Sequence, residues 1–410
     1  MNIDAVSLKT IAATLIFAAT YFVMAIGRLP GFRLDRAGAA FLGASLMVAV
    51  GVLNLKQAFA AIDMNTIALL LGMMIVVANL RLSGFFAVLT EWAGRHARHP
   101  LVLLTAIALI SGILSAFLVN DAVCLALTPL VLELLLSLER NPVPYLLAVT
   151  MAANVGGVAT ITGNPQNMII GSLSGIGYGP FASALAPVAA IGLVLTIVLI
   201  AVLFRAEFRA ASPLAVPRTQ PARLHRALMV KTLVITAVLM VALFLGVAPA
   251  KAAAVAGAFL LLSRRVKSSR IYAEIDWTLL LMFAGLFVVV AGFERIVLTP
   301  QLLHRLLALP LSGTVSLSVL TAVLSNLVSN VPAVLVLSRF VEHLADPGRA
   351  WLVVAMASTL AGNFTIVGSV ANLIVVQLAR AHHVEIRFGT YFRVGAPLTV
   401  LTIAVGVLLL

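Results

Sequence analysis

The residues best placed to carry chemistry are polar groups inside long apolar stretches. The pair Asn120-Asp121 lies within residues 111–138, and Asp121 is the only acidic residue deep in that stretch. A bare carboxylate in an apolar environment is costly, so it must face protein, water or a cation, or be protonated. The alternative role is structural, because Asn or Asp at a chain break caps the following helix by accepting backbone N–H bonds. The two roles are compatible, and Asp121 is the candidate for proton binding.

A second polar constellation is rich in glycine and extends over residues 156–167. Pro165 lacks an N–H and disfavours helical geometry at Asn164, and Gly163 permits unusual backbone angles. We therefore expect the helix to unwind at residues 162–165 and to restart behind them. The alternative is a kink that serves packing only.

An unwound helix at this point offers two kinds of binding group. The restarted half presents free N–H groups and a positive dipole end, which makes an anion site without charged side chains. Unwound carbonyls and threonine hydroxyls suit a small cation. The candidate binding residues of this segment are Thr160, Thr162, Gly163, Asn164 and Asn167.

Both constellations recur in the second half of the chain. At an offset of 205 positions, Gly157 matches Gly362 and Asn167 matches Asn372, and the pair Ser329-Asn330 resembles the segment around Asn120. Matches in Gly, Thr and Asn are informative in a chain this rich in apolar residues, so we interpret them as duplication of a unit of ~140 residues. The second copy has no acid equivalent to Asp121. Its candidate binding residues are Ser329, Asn330, Thr365, Gly368, Ser369 and Asn372.

The composition of the chain indicates the class of protein in which these polar residues lie. The 410 residues are 62% hydrophobic and 10% charged, with one cysteine. A soluble fold of this size would lack polar residues to cover its surface. These values exclude a soluble enzyme, a secreted disulfide scaffold and a disordered protein, and leave an all-α polytopic membrane protein. The motifs indicate no cofactor and no metal centre.

Apolar segments of ~20 residues can cross a bilayer. The candidates are residues 8–27, 37–54, 64–80, 101–138, 145–172, 181–204, 227–247, 249–263, 276–293, 312–346, 351–379 and 391–410. The net charge is +13, and the basic residues lie in short gaps between these segments. This distribution is typical of charges that set membrane orientation, and it does not favour nucleic-acid binding. The basic gaps at 205–231 and 264–270 predict cytoplasmic segments of a multi-pass protein of the cell inner (cytoplasmic) membrane.

These segments predict five regions along the chain. Duplicated halves with broken helices in corresponding positions are typical of transporters that bind substrate between the halves. The regions are scaffold helices at 1–60, a first transport repeat at 61–204, a basic cytoplasmic linker at 205–231, further scaffold helices at 232–273 and a second transport repeat at 274–410.

Four motifs resemble the ion transporter superfamily of arsenite permeases, D-type sodium–proton antiporters and citrate transporter-like anion permeases. They are LVNDAVCLALTP at 118–129, NVGGVATITGNPQNMIIGSLSGI at 154–176, SNLVSNVPAVLVL at 325–337 and AGNFTIVGSVANLIV at 361–375. The resemblance implies two inverted repeats, each with a re-entrant hairpin and a broken transmembrane helix. Hairpin tips would lie at Asn120-Asp121 and Ser329-Asn330, and helix breaks at 162–165 and 367–370. It also implies a homodimer.

The leading prediction is a secondary active transporter for a small inorganic or organic anion, or for an arsenite-like oxyacid. Coupling to protons or sodium is implied, with possible sodium contacts at Asn120, Asn164 and Asn330. An ATPase motif is absent from the loops, so primary pumping would need a separate subunit. One alternative is a sodium–proton antiporter that uses Asp121. An intramembrane enzyme is the remote alternative, because no paired catalytic groups lie deep in the apolar segments.

Overall fold

Every regular element is helical in the part of the chain that the structure describes. The structure is a computed structural model, and it describes residues 3–27, 31–209, 224–263, 266–296 and 313–410. The helices of the first half are α1 Ile3–Ile26, α2 Arg36–Ala49, α3 Leu55–Ala61, α4 Met64–Ser83, α5 Phe85–His96, α6 Pro100–Phe117, α7 Asn120–Ser137, α8 Pro142–Gly157, α9 Pro165–Leu173, α10 Tyr178–Leu203 and α11 Arg205–Arg209. Those that follow are α12 Arg226–Phe244, α13 Pro249–Leu261, α14 Ser268–Ala273, α15 Trp277–Ile296, α16 Thr314–Val328, α17 Asn330–Val341, α18 Pro347–Ala361, α19 Val370–Ala381 and α20 Phe388–Leu409.

Eight of the described helices are long and apolar enough to cross a membrane. They are Leu8–Ile26, Met64–Ser83, Pro100–Phe117, Asn120–Ser137, Tyr178–Leu203, Arg226–Phe244, Trp277–Ile296 and Phe388–Leu409. Large apolar side chains are exposed along them, as expected where lipid rather than water surrounds the protein. The predicted all-α polytopic fold is confirmed.

The two longest apolar segments each divide into a pair of helices. Leu118 and Val119 separate α6 from α7, so the break directly precedes Asn120. In the second pair, Ser329 alone separates α16 from α17 and has a φ of +79°. A residue other than glycine at this φ is strained by roughly 1–3 kcal/mol and persists only where its surroundings hold it. The re-entrance of these pairs and the inverted arrangement of the halves stay predictions.

The two glycine-rich segments are interrupted earlier than we predicted. Helix α8 ends at Gly157, and a 3-10 turn at Ile161–Gly163 leads to α9, which begins at Pro165. In the second copy, the interruption extends from the end of α18 through the 3-10 turn Ile366–Gly368 to the start of α19. The unwinding at 162–165 therefore extends back to residue 158, and that at 367–370 back to residue 362.

Helices α8 and α18 form the centre of the molecule. Every residue of α8 from Pro144 to Gly157 is buried, and α18 is buried along most of its length. A helix that is apolar all round belongs in the interior. Helices α6, α7 and α10 pack around α8, and α16, α17 and α20 pack around α18. Polar residues on the two central helices are thereby held deep inside the protein.

The predicted basic linker at 205–231 is described only at its ends. Residues 205–209 form α11, and residues 224–231 lead into α12, whereas the three linker prolines lie outside the described residues. Arg264 and Arg265 of the second basic gap also lie outside the described residues. The division into five regions and the cytoplasmic side stay predictions.

Candidate functional site

Asn154, on the central helix α8, joins both halves of the chain. Its Nδ2 donates to Asn363 Oδ1 at 2.8 Å and to Asn372 Oδ1 at 3.0 Å. Its Oδ1 accepts from Asn120 Nδ2 at 2.9 Å and from Ser369 Oγ at 3.2 Å. One buried amide therefore connects the start of α7 with the interrupted helix of the second half.

Thr359 lies 205 positions after Asn154 and takes the corresponding place on α18. Its hydroxyl accepts from Asn164 Nδ2 at 3.2 Å and from Gln166 Nε2 at 3.1 Å. The polar residue of each central helix thus contacts the helix interruption of the opposite half. Because these contacts cross between the halves, they bring the two interruptions to one place.

Two asparagines hold the interruptions open. Asn167 Nδ2 donates to the carbonyls of Gly157 and Thr160, both at 3.0 Å. Asn372 Nδ2 donates to the carbonyls of Gly362 at 2.7 Å and Thr365 at 3.0 Å. Each amide replaces helical partners that the carbonyls lose, which makes a break in the interior tolerable. The same contacts recur at the same offset of 205 in both copies.

Gly163 allows the chain to fold back at the first interruption. A Cβ on Gly163 would overlap the carbonyl oxygen of Gly157, so a larger residue cannot take this place without movement. Gly368 has the corresponding neighbour, the carbonyl oxygen of Gly362, at a less close 2.9 Å from the position of a Cβ. This close approach explains why unwinding begins directly after Gly157 and Ala361 rather than at Pro165 and Val370.

A central pocket lies where the two helix pairs meet the two interruptions. It encloses about 30 Å³, which is room for a small ion or one or two water molecules. The first residues of α9 and α19, Pro165 and Val370, also border it. None of its described lining residues carries a positive charge. Its polar lining consists of Asn120, Asp121, Gln166, Ser329, Asn330 and Ser369.

Asn120 and Asp121 both line this pocket. The Asn120 amide is 3% exposed, and its Oδ1 has no hydrogen-bond partner in the described part of the chain. The Asp121 carboxyl group interacts with the backbone N–H of Ala371, in the first turn of α19. A buried oxygen without a partner is unusual in a protein interior and marks a position for a water, an ion or a ligand.

Asn330 and Gln166 also line the central pocket and contact each other. In the orientation that satisfies the Asn330 amide, its nitrogen donates to the carbonyls of Ser358 and Gly368 at 3.2 Å each. Its oxygen then accepts from Gln166 Nε2, also at 3.2 Å. These bonds fix the start of α17 against the start of α9 and hold Ser329 in its strained conformation.

Helix capping accounts for Asn164, and three predicted threonines lie away from the central pocket. Asn164 Oδ1 accepts from Asn167 N at 2.8 Å and so caps α9. The Thr160 hydroxyl donates to the carbonyl of Ala116, and Thr162 bonds Tyr178 at 2.8 Å. Thr365 lies 3.4 Å from Asn326 Oδ1. Of the predicted site residues, the structure brings Asn120, Asp121, Ser329, Asn330 and Ser369 to the pocket, whereas Asn164, Gly163, Gly368, Asn167 and Asn372 shape the interruptions behind it.

Comparison with known proteins identifies the family. The sequence profile described as citrate transporter, CitMHS, matches residues 19–361, which is most of the chain. The chain belongs to the citrate transporter family. An uncharacterized transporter of Mycobacterium tuberculosis is 30% identical over 416 residues, covering 95% of this chain and 97% of that protein.

Two further relatives and one solved structure extend the comparison. The silicon efflux transporter of Oryza sativa subsp. japonica is 27% identical, covering 97% of both chains. Inner membrane protein YbiR of Escherichia coli is 29% identical, covering 86% of this chain and 88% of that protein. The crystal structure of the Alcanivorax borkumensis YdaH transporter has the same fold, with a TM-score of 0.60 at 17% identity, over 99% of this chain and 97% of that one.

The protein is therefore a multi-pass membrane transporter of the citrate transporter family, and the predictions of a transporter rather than an enzyme and of a membrane location are confirmed. The resemblance to the ion transporter superfamily is confirmed with them.

Sequence reasoning missed four polar residues of this transporter. Asn154 and Gln166 lie within a quoted motif without having been given a role, and Thr359 was not singled out. The signal for Asn154 and Thr359 was their equivalence at the offset of 205 on the helices that precede the interruptions. The fourth is Asp276, which lines a second cavity together with Asp121. Asp121 is therefore less isolated than its apolar sequence surroundings predict.

Proposed function

We propose that this member of the citrate transporter family is a secondary active transporter of a small oxyacid, neutral or weakly anionic, whose movement is coupled to protons or sodium. The observation that carries the proposal is the central pocket. Amide and hydroxyl groups and the beginnings of two helices surround it, and Asp121 lies at its edge.

The lining of the pocket favours a hydroxylated, weakly charged substrate. Helix N-termini attract anions, and amides hydrogen-bond to hydroxyl groups. A multiply charged carboxylate would be expected to meet arginine or lysine, whose planar or point charges match carboxylates. None of the described lining residues is cationic. The volume of about 30 Å³ also favours a small substrate, because larger organic ligands occupy pockets of roughly 300–1,000 Å³.

The relatives support the same class of substrate. The relative from Oryza sativa is named a silicon efflux transporter, and silicon in water is a weak oxyacid with hydroxyl groups. Arsenite shares this chemistry. We therefore expect arsenite or silicic acid to be transported in preference to citrate, whatever the family name implies.

The coupling ion has a natural place at Asn120 and Asp121. Asn120 Oδ1, which has no hydrogen-bond partner among the described residues, and the Asp121 carboxylate would supply two oxygen ligands at residues that line the pocket. Oxygen ligands suit a hard cation such as sodium, and a carboxylate removed from water also suits a proton. The same pair supports the second candidate, a sodium–proton antiporter in which no oxyacid moves.

Transport in proteoliposomes tests the proposal. Purified protein is reconstituted, and uptake of arsenite, silicic acid, sulfate, citrate and sodium is measured under imposed pH or sodium gradients. We expect oxyacid uptake above that of protein-free vesicles, driven by one of the two gradients. Asp121→Asn should abolish the effect of the gradient, because the amide keeps the size of the carboxyl group but cannot titrate.

Glu133→Gln is the matched control, since Glu133 lies on the same helix α7 with an exposed side chain. It should leave gradient-driven uptake unchanged. Uptake of citrate without oxyacid uptake would contradict the proposed substrate class. Sodium–proton exchange with no oxyacid movement would favour the antiporter, and an unaltered gradient response in Asp121→Asn would refute the role of Asp121.

A further inference from the structure

We infer that the second cavity is an entry vestibule through which the coupling cation reaches Asp121 from the side of the membrane that carries the basic segments. The inference rests on the proposed function only in assuming that a cation is coupled. The vestibule encloses about 90 Å³. It shares Asp121, Leu279 and Val370 with the central pocket, so the two spaces meet at the Asp121 carboxyl group.

The charges of the vestibule favour cations. Its lining includes the carboxylates of Asp121, Glu274 and Asp276 and one guanidinium, that of Arg81. The Asp276 charge lies close enough to act on Asp121. A cavity with an excess of one sign of charge and low-dielectric walls concentrates ions of the opposite sign. The vestibule therefore raises the local concentration of cations and lowers that of anions.

Exposure decreases from the mouth of the vestibule to its inner end. Asp276 is exposed and the side chain of Arg81 is 40% exposed, whereas Glu274 and Asp121 are both half-buried. Arg81 Nη1 and Glu274 Oε2 are 2.6 Å apart and join the end of α4 to the segment before α15. Because an exposed ion pair contributes little stability, this pair can open at small cost and acts as a gate at the mouth.

The mouth lies at the end of the molecule where the basic segments meet. The backbone N–H of His225 donates to the carbonyl of Ser83, two residues beyond Arg81, at 3.1 Å. Lys231 Nζ donates to the carbonyl of Leu262 at 2.7 Å, so the first basic segment contacts the chain two residues before the second. The excess of basic residues in both segments predicts that they lie on the cytoplasmic side, so the vestibule opens toward the cytoplasm.

Labelling with charged thiol reagents tests the vestibule without any transported substrate. The only cysteine, Cys124, is replaced by serine, and Ala78→Cys or Leu125→Cys places a thiol on the vestibule wall. Reaction rates with a trimethylammonium and a sulfonate methanethiosulfonate are measured in inside-out and right-side-out vesicles. Each rate is divided by the rate of the same reagent with a small thiol in solution.

The normalised rate with the cationic reagent should exceed that with the anionic reagent by about tenfold or more, from the cytoplasmic side only. The Glu274→Gln/Asp276→Asn double variant should bring the two rates within about threefold of each other. Arg81→Gln should speed labelling by the cationic reagent, because the gate loses one partner and the vestibule loses the one guanidinium of its described lining. Leu109→Cys, on a described apolar surface outside the vestibule, is the control and should react slowly with both.

Equal normalised rates at both wall positions, a faster anionic reagent, or labelling from the opposite side alone would overturn the inference. The outcomes separate the two proposals. Failure of oxyacid uptake with labelling as expected contradicts the proposed function and leaves the vestibule intact. Intact uptake without charge selectivity contradicts the vestibule only.

Discussion

The hydrogen bonds of Asn154 form a network that connects the two halves of the chain. Asn154→Ala tests whether this network positions the site or only contributes to the packing of the core. The amide makes four hydrogen bonds, to Asn120, Asn363, Asn372 and Ser369. An alanine removes all four and leaves the helix intact, because alanine is the best helix former.

The cost follows from what each partner retains. Asn372 Oδ1 still accepts from Thr150 Oγ1 at 2.6 Å, and Asn120 and Ser369 border the central pocket, where water can replace the amide. Asn363 is fully buried, and its Oδ1 loses the partner that Asn154 supplies. A buried acceptor without a partner costs about 1–3 kcal/mol, and each solvated partner loses about 0.5–1.5 kcal/mol. The one orphaned acceptor and the two solvated partners together should therefore lower the free energy of unfolding by about 2–6 kcal/mol.

Thr196→Val is the matched control for this measurement. Its hydroxyl is also fully buried, but among the described residues it bonds only to the carbonyl of Gly192 in its own helix, at 2.8 Å. Its loss should cost about 1 kcal/mol or less. Unfolding is followed for the purified protein in detergent, and uptake by equal amounts of folded protein is measured in proteoliposomes. A double-mutant cycle of Asn154→Ala with Asn120→Ala should give a coupling of roughly 0.5–3 kcal/mol.

The uptake rate should fall at least about tenfold in Asn154→Ala. The residues of the pocket would be misplaced, and a loss of about 1.4 kcal/mol of binding free energy lowers the affinity for substrate tenfold. If Asn154→Ala and Thr196→Val lower stability and uptake equally, the network does not position the site. A coupling near zero with Asn120→Ala would refute the direct link between α8 and α7.

Three further outcomes follow from the described residues. Ser329→Gly should raise the free energy of unfolding by about 1 kcal/mol, because glycine adopts a positive φ without strain; a drop would show that Ser329 is not strained. Gly163→Ala should reduce the yield of folded protein in size-exclusion chromatography, whereas Gly389→Ala, with open space around it, should not; equal yields would contradict the close approach at the first interruption. Lys231→Cys and Arg270→Cys, each in the Cys124→Ser background, should react with an impermeant thiol reagent from the cytoplasmic side only; labelling from outside in intact cells would reverse the orientation.

The local chemistry of the chain was enough to predict its architecture. Apolar runs of bilayer length predict a helical membrane protein, because only a helix or a closed barrel satisfies all backbone hydrogen bonds in lipid. Pro165 and the glycines mark the first interruption, since their backbone effects act on immediate neighbours. The offset of 205 relates residues that make equivalent contacts in the structure, such as Asn167 and Asn372. The interruptions begin earlier than predicted because glycine packing across the break, not Pro165, sets where α8 ends.

Only the tertiary structure decided which polar residues face the pocket and which serve the scaffold. Asn120, Asn154 and Asn167 are all buried asparagines. Asn120 has an oxygen without a partner among the described residues, Asn154 joins the two halves, and Asn167 replaces helical partners. An amide has the same donors and acceptors in each role, so its sequence neighbours cannot distinguish them. Asp276 approaches Asp121 across more than a hundred intervening residues. Such proximity depends on how α7, α15 and α19 pack, and that packing results from the whole chain burying its apolar surface at once.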